Sequence, residues 1–294
     1  MKISEIIKNK TTISFEIFPP KNKEDDLKSI YQTIDELSKL QPDFISVTYG
    51  AGGSTKGKTV EIASTIKNKY HIESLAHLTC LTSSINEVKE ICNQLKEANV
   101  ENILALRGDY PKDGIIMHKD FRYAKDLEEY INKEFKDYFC LAGACYPEGH
   151  QEALSLEDDL KALKQKVDAG AKYLITQVFY DNQYYYDLVS KARSIGINVP
   201  IIAGIMPITN IKSIKYTTKM CGCTLPSHIL ELLDYYESHD MSVHEVGIHL
   251  AVDQIIDLIA HDVEGIHIYT MNKPEITQAI FERIPSLLKE INHE

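Results

Sequence analysis

The chain has 294 residues, a length that suits one large domain or two. Hydrophobic residues make up 44% and charged residues 26%, ordinary globular values that exclude disordered, collagenous and coiled-coil chains. The net charge of −11 argues against nucleic acid or an anionic membrane as a partner.

The N-terminal stretch MKISEIIKNK mixes charges of both signs, so no signal peptide is expected there. No apolar run approaches the roughly 18 residues of a membrane span. Six cysteines spread over this length are too sparse for a disulfide scaffold and suit a reducing cytoplasm.

Strand and helix signals alternate along the chain. The expected strands are Ile13–Phe18, Phe44–Tyr49, Ser74–Thr79, Asn102–Leu106, Phe139–Cys145, Lys172–Val178, Val199–Ile205 and Gly265–Thr270. Between the first two, Leu27, Ile30, Tyr31, Ile34, Leu37 and Leu40 fall on one helical face. Ser84 with Glu87 forms a capping-box pattern ahead of Val88, Ile91 and Leu95. Ser155 opens a helix carrying Leu156, Leu160, Leu163 and Val167, which Gly170 is placed to close. Pro226–His239 reads as an extra helical insertion before the last strand, and Ser242–His261 as a long helix.

Eight strand–helix repeats without a Pro/Ser-rich linker favour a single (β/α)8 barrel over an open sheet. In such a barrel, alternate strand residues face the interior. Ile13, Phe15 and Ile17 form the outward set of the first strand, leaving Ser14 and Glu16 inward. Ser46 with Thr48, His77 with Thr79, Gln177, and His267 with Tyr269 fall on similar rows. Valine and leucine would fill an inert barrel. Polar residues gathered at the C-terminal strand ends point instead to a small-molecule enzyme site.

Glu16 is the most informative residue, because an apolar strand desolvates its carboxyl and favours the acid form. The competing reading pairs it with Arg107 or a lysine. Arg107-Gly108-Asp109 closes the fourth strand with a cation for phosphate, a close backbone approach and a carboxylate; a strand-end turn with a local ion pair is the alternative. Gly50–Ser54 could cradle an anion but matches neither nucleotide-loop spacing, so a plain connecting loop is as good a reading. Cys221-Gly222-Cys223 with His228 is a weak zinc pattern, and His244 and His249 do not share a helical face, so no metal is expected. Tyr184-Tyr185-Tyr186 reads as packing.

Several segments together resemble the methylenetetrahydrofolate reductase family. They are Ser14-Phe-Glu-Ile-Phe-Pro-Pro20, Val47-Thr-Tyr-Gly50, Ala76-His-Leu-Thr-Cys80, Ala105-Leu-Arg-Gly-Asp109, Tyr146-Pro-Glu-Gly-His150, Lys166-Val-Asp-Ala-Gly170, Ile175-Thr-Gln177 and Tyr269-Thr-Met-Asn272, in order over nearly the whole chain. The chain is similar to the compact bacterial form and, on this resemblance, lacks the regulatory domain of eukaryotic members. The resemblance implies an FAD-bound barrel reducing 5,10-methylenetetrahydrofolate to 5-methyltetrahydrofolate, supplying methyl groups for methionine synthesis. The reductant would be NADH, or NADPH, in a ping-pong cycle. A cytoplasmic homo-oligomer is expected, with small molecules as its other partners. Another FAD-binding (β/α)8 oxidoreductase, such as a proline-dehydrogenase-like enzyme, is the alternative.

By the same resemblance, Glu16 is the general acid that opens the folate imidazolidine ring, and Asp109 stabilises the resulting cation. Gln177 meets folate or nicotinamide, and Lys273 stands where an arginine is proposed to meet the folate tail. FAD contacts fall to Thr48, His77, Arg107, Gly108, Asp109, Tyr123, Ala124, Tyr146, His150, Asp159 and Lys166. The chain departs from some relatives at Ala162 and Gln165, near the FAD adenosine end. It also lacks a phenylalanine near Thr217 that covers the folate site in some of them.

Overall fold

The structure, a computed structural model, describes residues 1–20, 27–49, 56–110, 118–236 and 240–292. Eight parallel strands pair in chain order and close on themselves, β8 against β1. They are β1 (Thr12–Ile17), β2 (Phe44–Val47), β3 (Glu73–Thr79), β4 (Asn102–Leu106), β5 (Cys140–Cys145), β6 (Ala171–Thr176), β7 (Ile201–Ile205) and β8 (Gly265–Tyr269). Helix α1 (Ile3–Ile7) precedes the barrel. Then α2 (Leu27–Ser38), α3 (Lys56–Lys69), α4 (Ile85–Glu97), α5 (Ala124–Phe135), α6 (Leu156–Ala169) and α7 (Asn182–Ser194) each follow one strand. Between β7 and β8 lie α8 (Ile211–Cys221), α9 (Ser227–Tyr235) and α10 (Asp240–Ala260). Helices α11 (Pro274–Phe281) and α12 (Pro285–Asn292) come last.

The expected (β/α)8 barrel forms, with every strand end within two residues of its expected place. The seventh strand starts late for a covalent reason. Pro200 has no N–H to give a ladder, so it only accepts, from Leu174 N at 2.8 Å, and the strand begins at Ile201. The capping box on α4 is present: Glu87 N donates to Ser84 Oγ at 3.3 Å and Ser84 N to Glu87 Oε2 at 2.8 Å. Ser155 caps α6, and Gly170 ends it at a φ of +131°. The extra helix falls where the insertion is expected. Its Ile229 and Leu233 pack with Ile208, Ile211, Ile214 and Val243 in a satellite core.

Two apolar shells result from the strand alternation. Outward residues such as Phe15, Ile17, Val47, Leu78 and Ile103 meet the helices. Inward residues Phe44, Leu75, Leu104, Tyr173, Ile175 and Ile202 fill the lower barrel. Each such large side chain contributes about 1.5–3 kcal/mol on burial. Helix α1, like α8 and α12, is an element the sequence reading does not anticipate. Its Ile3 and Ile7, one helical turn apart, join the inner shell, and Ile3 N donates to the buried Asn102 Oδ1 at 2.8 Å. The apolar lower barrel leaves the polar inward residues to the opposite, C-terminal end.

Candidate active site

In β1 the outward residues Ile13, Phe15 and Ile17 belong to the outer shell, so Ser14 and Glu16 face inward. Strand register sets their neighbours: Ser14 lies beside His267, and Glu16 beside Ser46 and Tyr269. His267 is fully buried, stacks on Phe44 at 5.9 Å, and has Nδ1 2.7 Å from Ser14 Oγ. Its Nε2 lies 3.3 Å from Ser46 Oγ and 3.7 Å from Glu16 Oε2. Ser46 Oγ donates to Glu16 Oε2 at 3.4 Å. His77 Nε2 is also 3.4 Å from that oxygen, yet it is not aligned for a hydrogen bond and has no other partner among the described residues. Burial drives the His77 pKa down to about 4, which leaves its imidazole neutral at pH 7.

The ion-pair contacts of Glu16 among the described residues are therefore two imidazoles. Arg107 is engaged elsewhere. Its Nη2 donates to Glu152 Oε1 at 2.9 Å, its Nη1 to the other carboxylate oxygen, and its Nε to Gly108 O at 3.2 Å. The pairing of Glu16 with Arg107 that the sequence left open does not form.

Tyr269 crosses the barrel mouth and donates to Thr176 O at 2.6 Å. Gly204 of β7 makes that path possible. A Cβ there would lie 2.5 Å from Thr176 O and 2.7 Å from the Tyr269 hydroxyl. The sequence reading misses Gly204, although an isolated glycine inside an apolar strand is the usual mark of a close approach. It also misses the part played by Asn272. That side chain accepts from Phe18 N at 2.9 Å and donates to Phe18 O at 2.8 Å, tying the ends of β1 and β8 together. Its φ of +57° is a conformation asparagine tolerates better than most residues.

Gly108 has a φ of +84°, and a Cβ there would come within 3.0 Å of Thr79 Cβ. The chain thus turns sharply after β4 and presents Asp109 exposed to solvent. Beyond β5, Gly149 turns at a φ of +88° with its N–H on Tyr146 O at 3.0 Å. This turn brings four expected residues into one cluster. Tyr146 meets His150 edge-on at 4.6 Å, and Asp159 Oδ2 accepts from His150 N at 3.2 Å. Lys166 Nζ lies 5.7 Å from the Tyr146 ring centre and donates to Ala144 O at 2.8 Å. Burial pushes the Tyr146 hydroxyl up to about 12, raises Asp159 against the pull of Lys166, and lowers both His150 and Lys166. Glu152 N donates to His150 Nδ1 at 3.1 Å, which joins Arg107 to the same cluster.

The remaining expected residues stand at the mouth without such mutual contacts. Thr48 follows β2, its N–H on Ile17 O at 3.1 Å. Gln177 follows β6, its side-chain oxygen accepting from Val178 N at 2.9 Å. Lys273 precedes α11, its N–H on Thr270 O at 2.9 Å. Tyr123 is exposed at the start of α5, beside the buried Ala124. Ala162 and Gln165 are exposed on α6, and Gln165 lines a polar cleft with Lys125, Glu129, Asn132 and Asp168. Thr217 is half-buried on α8. The Gly50–Ser54 loop lies outside the described residues.

Two other motifs have structural explanations. Gly222, at a φ of +69°, closes α8 in the left-handed conformation, so Cys221-Gly222-Cys223 is a helix end. Tyr185 donates to Ile201 O at 2.7 Å and Tyr186 to Asp257 Oδ2 at 2.6 Å, which anchors α7 to β7 and α10.

Comparison with known proteins gives three results. A family described as Methylenetetrahydrofolate reductase matches residues 2–285. "Methylenetetrahydrofolate reductase (NADH) 1" of Arabidopsis thaliana is 36% identical over 289 residues, covering 92% of this chain and 49% of that protein. The chain thus spans about half the length of the first relatives it matches. "5,10-methylenetetrahydrofolate reductase" of Escherichia coli is 36% identical over 274 residues, with 93% of this chain and 90% of that protein covered. Among solved structures, an uncharacterized protein from Clostridium thermocellum that binds two copies of 5-methyl-5,6,7,8-tetrahydrofolic acid superposes with a TM-score of 0.67 over 98% of both chains. At 18% identity that likeness concerns the fold.

Proposed function

The chain belongs to the methylenetetrahydrofolate reductase family, and on that footing we propose that it reduces 5,10-methylenetetrahydrofolate to 5-methyltetrahydrofolate. We take NADH as the electron donor, ahead of NADPH, and FAD as the resident cofactor. FAD, when bound, relays two electrons from the nicotinamide to the folate as hydride. The residues at the mouth fit a dinucleotide of that kind. Arg107 and Lys166 supply cations for its pyrophosphate, and the sharp turn at Gly108 lets backbone approach a flat ring. His77 Nε2 is a buried polar atom without a hydrogen bond among the described residues. Thr48, Asp109, Tyr123, Ala124, Tyr146, His150 and Asp159 complete the proposed contacts.

The observation that carries the reading is the setting of Glu16. Its carboxyl is buried at the C-terminal end of β1, against a hydroxyl and neutral imidazole rather than a lysine or arginine. Among the described residues neither a lysine nor an arginine pairs with it, and a buried acid facing the barrel interior suits a proton donor. Glu16 protonates the folate nitrogen that leaves the methylene carbon, the carbon–nitrogen bond breaks, and the carbon is left cationic and ready for hydride. Asp109 places negative charge near that cation. Gln177 offers an amide to folate or nicotinamide, and Lys273 a cation to the folate tail. Per turnover the folate gains one hydride and one proton, and the nicotinamide loses one hydride.

The reading carries with it a ping-pong cycle in a cytoplasmic homo-oligomer whose product supplies methyl groups for methionine synthesis. A visible spectrum of the purified protein tests it. Flavin absorption that bleaches with NADH and recovers on adding methylenetetrahydrofolate is the expected result. A colourless protein that takes up no added FAD would overturn the proposal.

A further inference from the structure

Helix α5 turns Ala124, Leu127, Glu128 and Ile131 toward the sheet. Glu128 is the anomaly in that set. It is fully buried, and neither carboxyl oxygen has a hydrogen-bond partner among the described residues. A Cβ on Gly143 of β5 would lie 3.6 Å from Glu128 Oε1, 3.6 Å from Ala171 Cβ and 3.1 Å from Leu174 Cδ2. The carboxyl therefore rests on the outer face of β5, among aliphatic side chains. A group so placed destabilises the fold, and a leucine would pack there at lower cost.

The neighbouring helix supplies a reason for the acid. Lys166 of α6 reaches the same stretch of β5, its ammonium bonded to Ala144 O, one residue on from Gly143. Each group feels the other as its strongest charge: Lys166 pulls Glu128 down, and Glu128 pulls Lys166 up. We propose that Glu128 is a positioning residue for Lys166, the two forming a couple, the acid fully buried and the lysine half-buried, that sets how much positive charge the β5–α6 end of the barrel offers to the phosphates of a dinucleotide. The proposal rests on the assignment of FAD to this mouth.

The couple has net charge +1 with Glu128 protonated and zero with it ionised. Burial lifts Glu128 to about 8, so the change falls just above neutrality. The other groups facing the couple are Glu129 on α5, Asp159 on α6, Cys145 on β5, Tyr146 and His150 after β5, Cys80 after β3 and Arg107 after β4; burial keeps the Tyr146 hydroxyl neutral and holds His150 below its usual range. The two thiols stay neutral in that range, burial holding both near 12. Arg107 stays charged, its pKa raised further by Glu152.

The test uses the full chain, ligand-free and with FAD, from pH 5 to 9. FAD affinity is read from flavin fluorescence and stability from thermal melts. For wild type, affinity should fall on the order of tenfold as pH rises through about 8, the loss expected for one nearby unit charge partly screened by salt. Glu128→Gln, which cannot titrate, should lose that dependence. In the melts, a carboxyl whose folded pKa lies above its unfolded value makes wild type lose stability from about pH 5 to about 8 and then level off. Glu128→Gln and Glu128→Leu should both lack this fall, and Lys166→Met should move its end to higher pH. The couple is overturned if Glu128→Gln keeps the wild-type profiles, or if Lys166→Met leaves the melting profile unmoved. Should FAD bind at no pH, the cofactor assignment fails by itself, and the melting profiles still decide for or against the couple.

Discussion

Gly204→Ala asks whether a missing side chain in β7 is what allows Tyr269 to reach across the barrel mouth. The added Cβ would stand 2.5 Å from Thr176 O, 2.7 Å from the Tyr269 hydroxyl and 2.8 Å from its ring carbon Cε2. None of these can be relieved by rotating a flexible chain end. The carbonyl is strand backbone, the ring is pinned by its 2.6 Å bond to that carbonyl, and Gly204 N itself donates to Thr176 Oγ1 at 2.9 Å. Overpacking of this kind costs about 1–3 kcal/mol. Loss of the part-buried Tyr269 bond adds about 1–3 kcal/mol. The sum, roughly 2–6 kcal/mol, lowers the melting temperature by roughly 4–20 °C for a chain of this size. Urea denaturation measures it directly, with Tyr269→Phe reporting the hydrogen bond alone. Gly57→Ala is the control of opposite sign: among the described residues nothing lies within 4 Å of its added Cβ in α3, and the change should stabilise by up to about 1 kcal/mol. A Gly204→Ala protein within about 0.5 kcal/mol of wild type would refute the reasoning, since it would mean the ring moves aside at no cost.

Glu16→Gln should leave NADH-driven bleaching of the flavin nearly intact while abolishing folate reduction, because only the folate half-reaction needs the proton; equal loss of both in rapid-mixing experiments would rule out the role. Asp109→Asn should slow the folate half-reaction by on the order of ten- to a hundredfold, the effect of removing one charge beside a developing cation, and an unchanged rate would reject it. His77→Asn tests the buried neutral imidazole through pH. The folded pKa of His77, about 4, lies below its unfolded value near 6.5, so the unfolded chain binds more protons between those limits. Wild type therefore loses up to about 3 kcal/mol as pH falls through that window, and the variant should lose correspondingly less. Melting profiles that fall equally with acid would show His77 to be protonated in the native protein.

The barrel is legible in the sequence because each strand repeats one physical signal, a short apolar-rich run between turns, and the alternation within it separates helix-facing from interior residues. Ser14 and Glu16 are assigned inward on that ground alone. Glu16 stands out because an acid in an apolar strand is costly. What the sequence cannot show is who meets whom across strands. His267 reaches Ser14, Ser46 and Glu16 through the register of three strands, and register is set by the closure of the whole sheet. Gly204 and Asn272 act through contacts far along the chain, with Tyr269 and Phe18, and a glycine or an asparagine by itself names no partner. Glu128 was within reach. It lies four residues after Ala124 and three before Ile131, on the helical face those two bury, but the flanking charges at Asp126 and Glu129 disguise it as surface. Helix α1 hides for a different reason. Five residues form too short a helix to show a period, and its two isoleucines matter only as the floor of a barrel assembled afterwards.

That floor governs traffic. With Ile3 and Ile7 seated beneath Phe44, Leu75 and Tyr173, the tube is stoppered at its lower end by hydrocarbon among the described residues, which leaves the rim where the strands finish as the way to Glu16. On the proposed chemistry, donor and acceptor must queue at one doorway, and whatever enters first has to depart before the second can take its turn.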